Sequence, residues 1–187
     1  MLVLASSSPR RQALLEQIHC NFCVIISEAE EVHDVSLLPE QIVLENARRK
    51  ALDVAHRFPD IGPVLGADTV VTVDDSILGK PRNAIDAARM LRMLSGRGHS
   101  VYTGVALVKQ KELYTSFART EVWFDTLSEE DISDYIATGE PLDKAGAYAV
   151  QGQAAKFIIR LDGSFSNVVG LPLHEIRKLA ERAGISL

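Results

Sequence analysis

Residues 63–81 read PVLGADTVVTVDDSILGKP, and this stretch decides the fold class. Two apolar runs, both rich in β-branched residues, flank the turn-forming segment Asp74-Asp75-Ser76. The arrangement predicts two antiparallel strands joined by a short turn, which excludes a purely parallel sheet. Because helical and extended patterns alternate along the rest of the chain, the sequence predicts a mixed α/β (α+β) fold.

The other elements are predicted from periodicity and from capping residues. Ser8 and Pro9 fit the N-cap and the first position of a helix, and Asn83 and Ser128 fit further N-caps. The predicted helices comprise residues 9–17, 39–58, 84–96, 129–139 and 172–184. The predicted strands outside the opening stretch comprise residues 2–5, 22–27, 100–109, 118–127 and 154–163.

Length and composition are those of an ordinary globular protein. The chain has 187 residues, 47% of them hydrophobic, with neither a repeat nor a linker, so we expect a single domain of residues 1–187. A net charge of -5 disfavours binding to a nucleic-acid polymer. No apolar stretch approaches the roughly 20 residues of a membrane span, and the N-terminus does not resemble a signal peptide. The expected location is the cytoplasm, without membrane binding.

The two cysteines, Cys20 and Cys23, have a spacing that allows two interpretations. A pair three residues apart can supply half of a zinc site, but a structural site needs four ligands and the chain has no second pair. The alternative, which the ligand count favours, is two reduced thiols at the start of a strand.

Two charged residues interrupt apolar patterns. Lys50 lies in the middle of a helical stripe formed by Val43, Ala47 and Val54, either as a functional cation or as a lysine that extends from the edge of the stripe to solvent. Asp68 lies in a run suited to a central strand, where a buried carboxylate is costly unless it is paired or binds a metal. The alternative for Asp68 is a strand-end aspartate that caps a loop.

Gly66, two residues before Asp68, is a glycine within a predicted strand, where a residue with a side chain is expected. A glycine inside a strand indicates either a bulge or a close approach of another backbone.

The segment LASSSPRR (residues 4–11) combines serines and two arginines at the start of a predicted helix. The free N–H groups and the dipole of a helix N-terminus favour an anion, so Arg10 and Arg11 are unfavourable there unless an anion is shared. A phosphate group would be such an anion, and the arginine fork fits its oxygens. We therefore predict that residues 6–11, named here the anion loop, bind phosphate. With Lys50, Lys80, Glu31 and Asp68, this loop suits a phosphorylated substrate with Mg²⁺.

Together these residues resemble the Maf family of nucleotide pyrophosphatases. The resemblance covers the chain from residue 2 to about residue 173 and rests on six motifs in the family's order. It implies a two-lobed α/β fold with helices around a bent mixed sheet and a cleft between the lobes. It also implies hydrolysis of nucleoside triphosphates to monophosphate and pyrophosphate with Mg²⁺ or Mn²⁺. The motifs are LASSSPRR (4–11), NARRKA (46–51), GADTVV (66–71), GKPRNAIDAARMLRMLSGRGHSVYTGVAL (79–107), LDKAGAYAVQG (142–152) and VVGLPL (168–173).

The resemblance also assigns roles to individual residues. The family's catalytic acid–base aspartate corresponds to Asp68 and its acidic loop residue to Glu31. These two carboxylates are the implied metal ligands, and the sequence leaves open which of them holds the metal and which acts as the base. The family's two lysines correspond to Lys50 and Lys80. Its phosphate-binding loop corresponds to Ser6, Ser8, Arg10 and Arg11.

One branch of the family resembles dTTP/UTP hydrolases and another resembles 7-methyl-GTP hydrolases. This sequence has Arg10, Thr69 and Gln151 at the three positions where the branches differ, and it resembles the dTTP/UTP branch at each. Modified pyrimidine nucleotides fit the same expectation. A glutamine offers both a donor and an acceptor, which suits the imide edge of uracil or thymine. Phe165 departs from the pattern, because the family commonly carries an aromatic hydroxyl there.

Two other functions are compatible with the resemblance. A non-catalytic nucleotide-binding regulator would keep the phosphate contacts and dispense with the base, whereas Asp68 and Glu31 are both present. An inhibitor of septum formation that acts through protein partners would not need Lys50 on an apolar helix face. A homodimer is left open.

Overall fold

The computed structural model describes residues 1–32, 34, 36–74 and 76–187. None of the helices in these ranges is long and apolar enough to cross a bilayer. The strands are β1 (Leu2–Leu4), β2 (Phe22–Val24), β3 (Val64–Val73), β4 (Ser76–Leu78), β5 (Gly98–Lys109), β6 (Glu112–Phe124) and β7 (Ile158–Asp162). The α-helices are α1 (Pro9–Gln17), α2 (Pro39–Arg57), α3 (Ala84–Leu94), α4 (Glu129–Ala137), α5 (Phe165–Val169) and α6 (Leu173–Arg182).

The strands form one mixed sheet in the order β2-β1-β3-β5-β6-β7, with β4 paired to β3. β1 runs parallel to β2 and to β3, whereas β4 is antiparallel to β3 and β7 is antiparallel to β6. The predicted mixed α/β fold is therefore confirmed, as is the hairpin predicted from the opening stretch. The middle of its predicted turn, Asp75, lies outside the described residues.

The chain divides into two compact units. The first unit comprises residues 1–69, 103–118 and 170–187, and the second unit comprises residues 70–102 and 119–169. Since the boundaries at residues 69/70, 102/103 and 118/119 fall inside β3, β5 and β6, each of these strands contributes residues to both units.

The core of the first unit forms where α2 packs on β1, β3 and β5. Two glycines set this packing, because neither leaves room for a side chain. A Cβ on Gly66 would lie 2.2 Å from the Ala47 carbonyl oxygen, and one on Gly104 would lie 2.4 Å from the Val43 carbonyl oxygen. The close backbone approach predicted at Gly66 is confirmed. The buried apolar residues of this core are Val3, Ala5, Ala47, Ala51, Val54, Val64, Ala106 and Val108.

The second unit is built around aromatic side chains and two capped helices. Phe124 makes an edge-to-face contact with Tyr148, at a ring separation of 4.9 Å. The predicted caps are confirmed: the Asn83 side chain accepts the Asp86 N–H at the start of α3, and the Ser128 side chain begins α4 in the same way.

Three local predictions differ from the structure. Residues 154–157, predicted as the start of a strand, belong to the 3₁₀ helix Gln153–Phe157, and β7 begins only at Ile158. The physical reason is that Ala154 and Phe157 are the buried positions of this segment, and a spacing of three is the 3₁₀ period. β2 is also shorter than predicted, and the short helix α5 was not predicted.

Candidate active site

Asp68 lies within β3 in the first unit, with its side chain 10% exposed. Lys50 of α2 donates from Nζ to Asp68 Oδ1 at 2.7 Å, and Asn46 of α2 donates from Nδ2 to Oδ2 at 3.0 Å. Both donors reach one carboxylate because they stand four residues apart on the same helix face, and because Gly66 lets that helix approach β3. Each carboxylate oxygen of Asp68 therefore has its own donor.

Glu31 joins this group from the loop before α2. Its Oε1 lies 2.6 Å from Lys50 Nζ, so one ammonium group contacts both predicted catalytic carboxylates. The Glu31 side chain is 42% exposed, whereas the Lys50 side chain is 14% exposed. The Lys50 ammonium group pairs with two carboxylates and is largely shielded from solvent, so the side chain does not extend to solvent from the edge of the stripe. Its functional role stays a prediction.

Asn46 fixes the loop that carries Glu31. Its Oδ1 accepts the Val32 N–H at 2.6 Å, and its Nδ2 also donates to the Val32 carbonyl at 3.2 Å. The side chain is 2% exposed and uses both of its N–H groups and its oxygen. Asn46 was not predicted as a site residue from the sequence, although its position three residues after Val43 and four before Lys50 places it on the same face of α2.

Arg11 occupies an unexpected place for a residue predicted to bind phosphate. It is 9% exposed, and its guanidinium donates to four acceptors of the first unit. These acceptors are the Gly170 carbonyl at 2.7 Å, the Ala67 carbonyl at 2.9 Å, Ser6 Oγ at 3.0 Å and Thr69 Oγ1 at 3.2 Å. The arginine at the positive end of α1 is therefore compensated by carbonyl and hydroxyl oxygens of the protein, an explanation that the sequence analysis did not consider.

Burial and several nearby charges affect the pKa of Arg11. Burial is the main cause that lowers the pKa of the Arg11 guanidinium, and the positive charge of Arg10 acts in the same direction. The charges of Asp68 and Glu31 oppose this effect. Cations and carboxylates thus influence one another in the first unit.

The anion loop shows the predicted strand-to-helix form. Ser8 is the N-cap residue of α1 and Pro9 occupies the first turn, but the Ser8 side chain makes no capping hydrogen bond. Instead the Ser8 N–H donates to Ser6 Oγ at 3.3 Å. The first turn of α1 contains no acidic residue, so no carboxylate of that turn competes for its N–H groups.

The carboxylate oxygens fit a divalent cation. Asp68 and Glu31 supply hard oxygen donors of the kind that Mg²⁺ and Mn²⁺ prefer. Within the described ranges no cluster of three or more His, Cys, Asp or Glu side chains could hold a metal ion. Two carboxylates are sufficient for Mg²⁺, because this ion usually completes its shell with water and substrate phosphates.

Lys80 and Gln151, the other predicted site residues, belong to the second unit. Lys80 is exposed and follows β4, and Gln151 is exposed within a turn that precedes the 3₁₀ helix. Thr69 lies in the first unit, where its Oγ1 is 2.9 Å from Thr103 Oγ1 in addition to its contact with Arg11. Cys20 and Cys23 are free thiols in the first unit.

A mixed α/β fold with a lysine shared by two carboxylates, beside a serine–arginine loop at a helix N-terminus, is typical of proteins that act on phosphorylated small molecules. The chain belongs to the Maf-like protein family, whose profile matches residues 1–183. The family expected from the six motifs is thereby confirmed.

Curated relatives match nearly the whole chain. A protein of Geobacillus sp. (strain WCH70) is 50% identical over 183 residues, which cover 98% of each chain. A protein of Symbiobacterium thermophilum is 49% identical over 185 residues, which cover 98% of this chain and 94% of that one. A protein of Bacillus cytotoxicus is 50% identical over 171 residues, which cover 91% and 89%. All three relatives are named dTTP/UTP pyrophosphatase.

Proposed function

We propose that this protein is a nucleotide pyrophosphatase that hydrolyses dTTP and UTP to the nucleoside monophosphate and pyrophosphate, a house-cleaning reaction. Relatives of about 50% identity over nearly the full length bear that name. The observation that carries the proposal is the Asp68 carboxylate, which is held between two donors of α2 and shares Lys50 with Glu31.

The first unit offers the charges that a triphosphate needs. Lys50 contacts the carboxylates of Asp68 and Glu31, and the positive charge of Arg11 interacts with both. Arg10 adds a second positive charge that interacts with Arg11. Asp68 and Glu31 would hold Mg²⁺ or Mn²⁺, which when bound supplies positive charge to the phosphate oxygens. The N–H groups of the α1 N-terminus, Ser6 and Ser8 would bind further phosphate oxygens.

Asp68 is the proposed general base. Its carboxylate accepts a proton from a water molecule as the water oxygen bonds to the α-phosphorus, and the bond from that phosphorus to the bridging oxygen breaks. The electron pair of the broken bond leaves with the bridging oxygen as pyrophosphate, the water oxygen stays on the monophosphate, and Asp68 then releases the proton to solvent. Lys50 orients Asp68 and stabilises negative charge on the phosphates, while Glu31 holds the Lys50 ammonium group through an ion pair.

The roles of the second-unit residues rest on the family resemblance. Lys80 would stabilise charge on the leaving pyrophosphate. Gln151 would contact the pyrimidine, and Arg10 and Thr69 of the first unit are the other two proposed specificity residues. We propose further that residues 1–187 act as one functional domain and that the protein works in the cytoplasm, where its two cysteines stay reduced.

The direct test is an assay of the purified protein with dTTP, UTP, CTP, GTP and 7-methyl-GTP, with and without Mg²⁺ or Mn²⁺. We expect metal-dependent release of pyrophosphate, detected by adding inorganic pyrophosphatase, with dTTP and UTP preferred. Asp68→Asn should lower kcat by about 10²–10⁴-fold. Asp162→Asn, which removes an exposed carboxylate paired with Arg160, is the matched control and should retain activity. Tight binding of UTP without hydrolysis would instead indicate a nucleotide sensor.

A further inference from the structure

Gln151 lies in a tight turn of the second unit formed by residues 149–152, named here the Gln151 turn. The Gly152 N–H donates to the Ala149 carbonyl at 3.1 Å and closes the turn. Gln151 is exposed, so its side chain does not gain a fixed place from burial. The position of the Gln151 side chain must then be set by the backbone of the turn.

Two side chains hold that backbone at both of its ends. The Ala149 N–H, at the start of the turn, donates to Tyr135 Oη at 3.2 Å. The Gln153 N–H, directly after the turn, donates to both Glu140 oxygens at 3.1 Å. Tyr135 Oη in turn donates to Glu140 Oε1 at 2.7 Å, so the two anchors are joined to each other. The result is a closed ring of hydrogen bonds around Gln151.

Gly152 makes this ring possible. A Cβ at residue 152 would lie 2.3 Å from Glu140 Oε1 and 2.5 Å from Oε2, much closer than any contact between nonbonded atoms. The φ angle of Gly152 is -106°, a value open to other residues, so glycine is required here by the space that the carboxylate occupies. Glycine at position 152 therefore leaves the space that the Glu140 carboxylate needs to hold the backbone beside Gln151.

We propose that Tyr135 and Glu140 are positioning residues for substrate specificity, because they hold the Gln151 turn in the conformation that presents the Gln151 side chain to the pyrimidine base. The proposal rests on the proposed function, and it adds two residues that neither the motif comparison nor the catalytic centre includes.

The chemistry of the pair suits a permanent anchor. Tyr135 is 1% exposed, and burial together with the hydrogen bond to Glu140 raises the pKa of its hydroxyl well above the ordinary value. The hydroxyl therefore remains a donor to Glu140 throughout the pH range in which an enzyme works. A buried hydroxyl that donates to a carboxylate makes a charge-assisted hydrogen bond, which is stronger than a neutral one.

The test compares Tyr135→Phe with Tyr148→Phe. Both variants remove a buried tyrosine hydroxyl of the second unit. The Tyr135 hydroxyl accepts the Ala149 N–H of the turn, whereas the Tyr148 hydroxyl pairs with His99 Nε2 at 2.8 Å. For Tyr135→Phe we expect KM for UTP to rise about tenfold while kcat stays within about threefold of the wild type. The kcat/KM preference for UTP over 7-methyl-GTP should fall by a similar factor. The metal concentration at half-maximal rate should not change.

Gly152→Ala provides a second, independent route to the same effect, because its Cβ displaces the Glu140 carboxylate. It should reproduce the rise in KM, and the double variant with Tyr135→Phe should be little worse than either single variant. Thermal unfolding of each variant shows that it is folded, and Gly152→Ala carries the test if Tyr135→Phe does not fold.

The outcomes separate the two proposals. If the wild-type protein does not hydrolyse UTP, the proposed function is wrong and the specificity role falls with it. If the wild type is active but KM and nucleotide preference are unchanged in both Tyr135→Phe and Gly152→Ala, only the positioning role is overturned. The same applies if Tyr148→Phe raises KM as much as Tyr135→Phe does, since any loss of second-unit stability would then have that effect.

Discussion

Replacing Asn46 by alanine tests the geometry of the candidate active site most sharply. Asn46 makes three hydrogen bonds, two of them with the Val32 backbone at 2.6 and 3.2 Å and one with Asp68 Oδ2 at 3.0 Å. The variant keeps Lys50 and both carboxylates. It removes only the groups that orient the base and fix the loop that carries Glu31.

The expected magnitude follows from these contacts. A hydrogen bond to a charged group contributes about 1.5–3 kcal/mol and a neutral one about 1 kcal/mol, so loss of one charged and two neutral bonds should lower the free energy of unfolding by about 3.5–5 kcal/mol. Loss of a hydrogen-bond partner that orients a catalytic group typically lowers activity about 10–100-fold. Because Asn46 orients the Asp68 carboxylate, we expect kcat/KM for UTP to fall within that range. The loss should appear in kcat, because the phosphate-binding groups remain.

The assay measures steady-state kinetics with UTP and chemical unfolding of the same preparation. Asn83→Ala is the matched control, because it removes the side-chain cap of α3, in the second unit, and should cost about 1 kcal/mol of stability without loss of kcat. The reasoning would be refuted if Asn46→Ala lost the expected stability but kept kcat/KM within about twofold of the wild type. Asn46 would then hold the loop without orienting Asp68.

Three further perturbations test the fold of the two units. Burial lowers the pKa of His99 from 6.5 to about 4, so between these pH values the unfolded chain binds a proton that the folded chain does not. The free energy of unfolding should therefore fall by about 3 kcal/mol as the pH drops through this window. A His99→Gln variant should lack this pH dependence in urea unfolding titrations. Arg11→Lys keeps the charge but cannot reach four acceptors, so it should lower the free energy of unfolding by about 2–3 kcal/mol; unchanged stability with weakened UTP binding would favour the phosphate-binding role alone. Gly66→Ala places a Cβ 2.2 Å from a carbonyl oxygen of α2, so it should lower the free energy of unfolding by about 3 kcal/mol and reduce activity. In Gly79→Ala the new Cβ meets no atom within 4 Å, so this control should leave the thermal unfolding temperature unchanged.

The sequence predicted the fold class because strong local signals agree with the observed packing. Local interactions determine the β-branched hairpin and the helix starts at the caps Asn83 and Ser128. The close packing at Gly66 follows from its missing side chain, which is visible in the sequence. The segment of residues 154–157 was predicted wrongly as a strand. Its two buried residues are three apart, and periodicity in so short an apolar run does not distinguish a helical turn from a strand.

The candidate site was predicted in part, for a related reason. Lys50 and Asp68 stood out because each is charged where its element should be apolar, and the structure brings them within 2.7 Å of each other. Asn46 is neutral and polar, so it gave no such signal until its partners were known. The partners of Arg11 include Ala67 and Gly170, which are 56 and 159 residues away in the chain, so its burial could not be seen from local sequence.

The most direct test of the proposed reaction is hydrolysis of UTP in H₂¹⁸O, with mass analysis of the products. If a water molecule activated by Asp68 attacks the α-phosphorus, the ¹⁸O must appear in UMP and the released pyrophosphate must remain unlabelled. Label in pyrophosphate or in orthophosphate instead, with no label in UMP, would contradict attack at the α-phosphorus and with it the central claim.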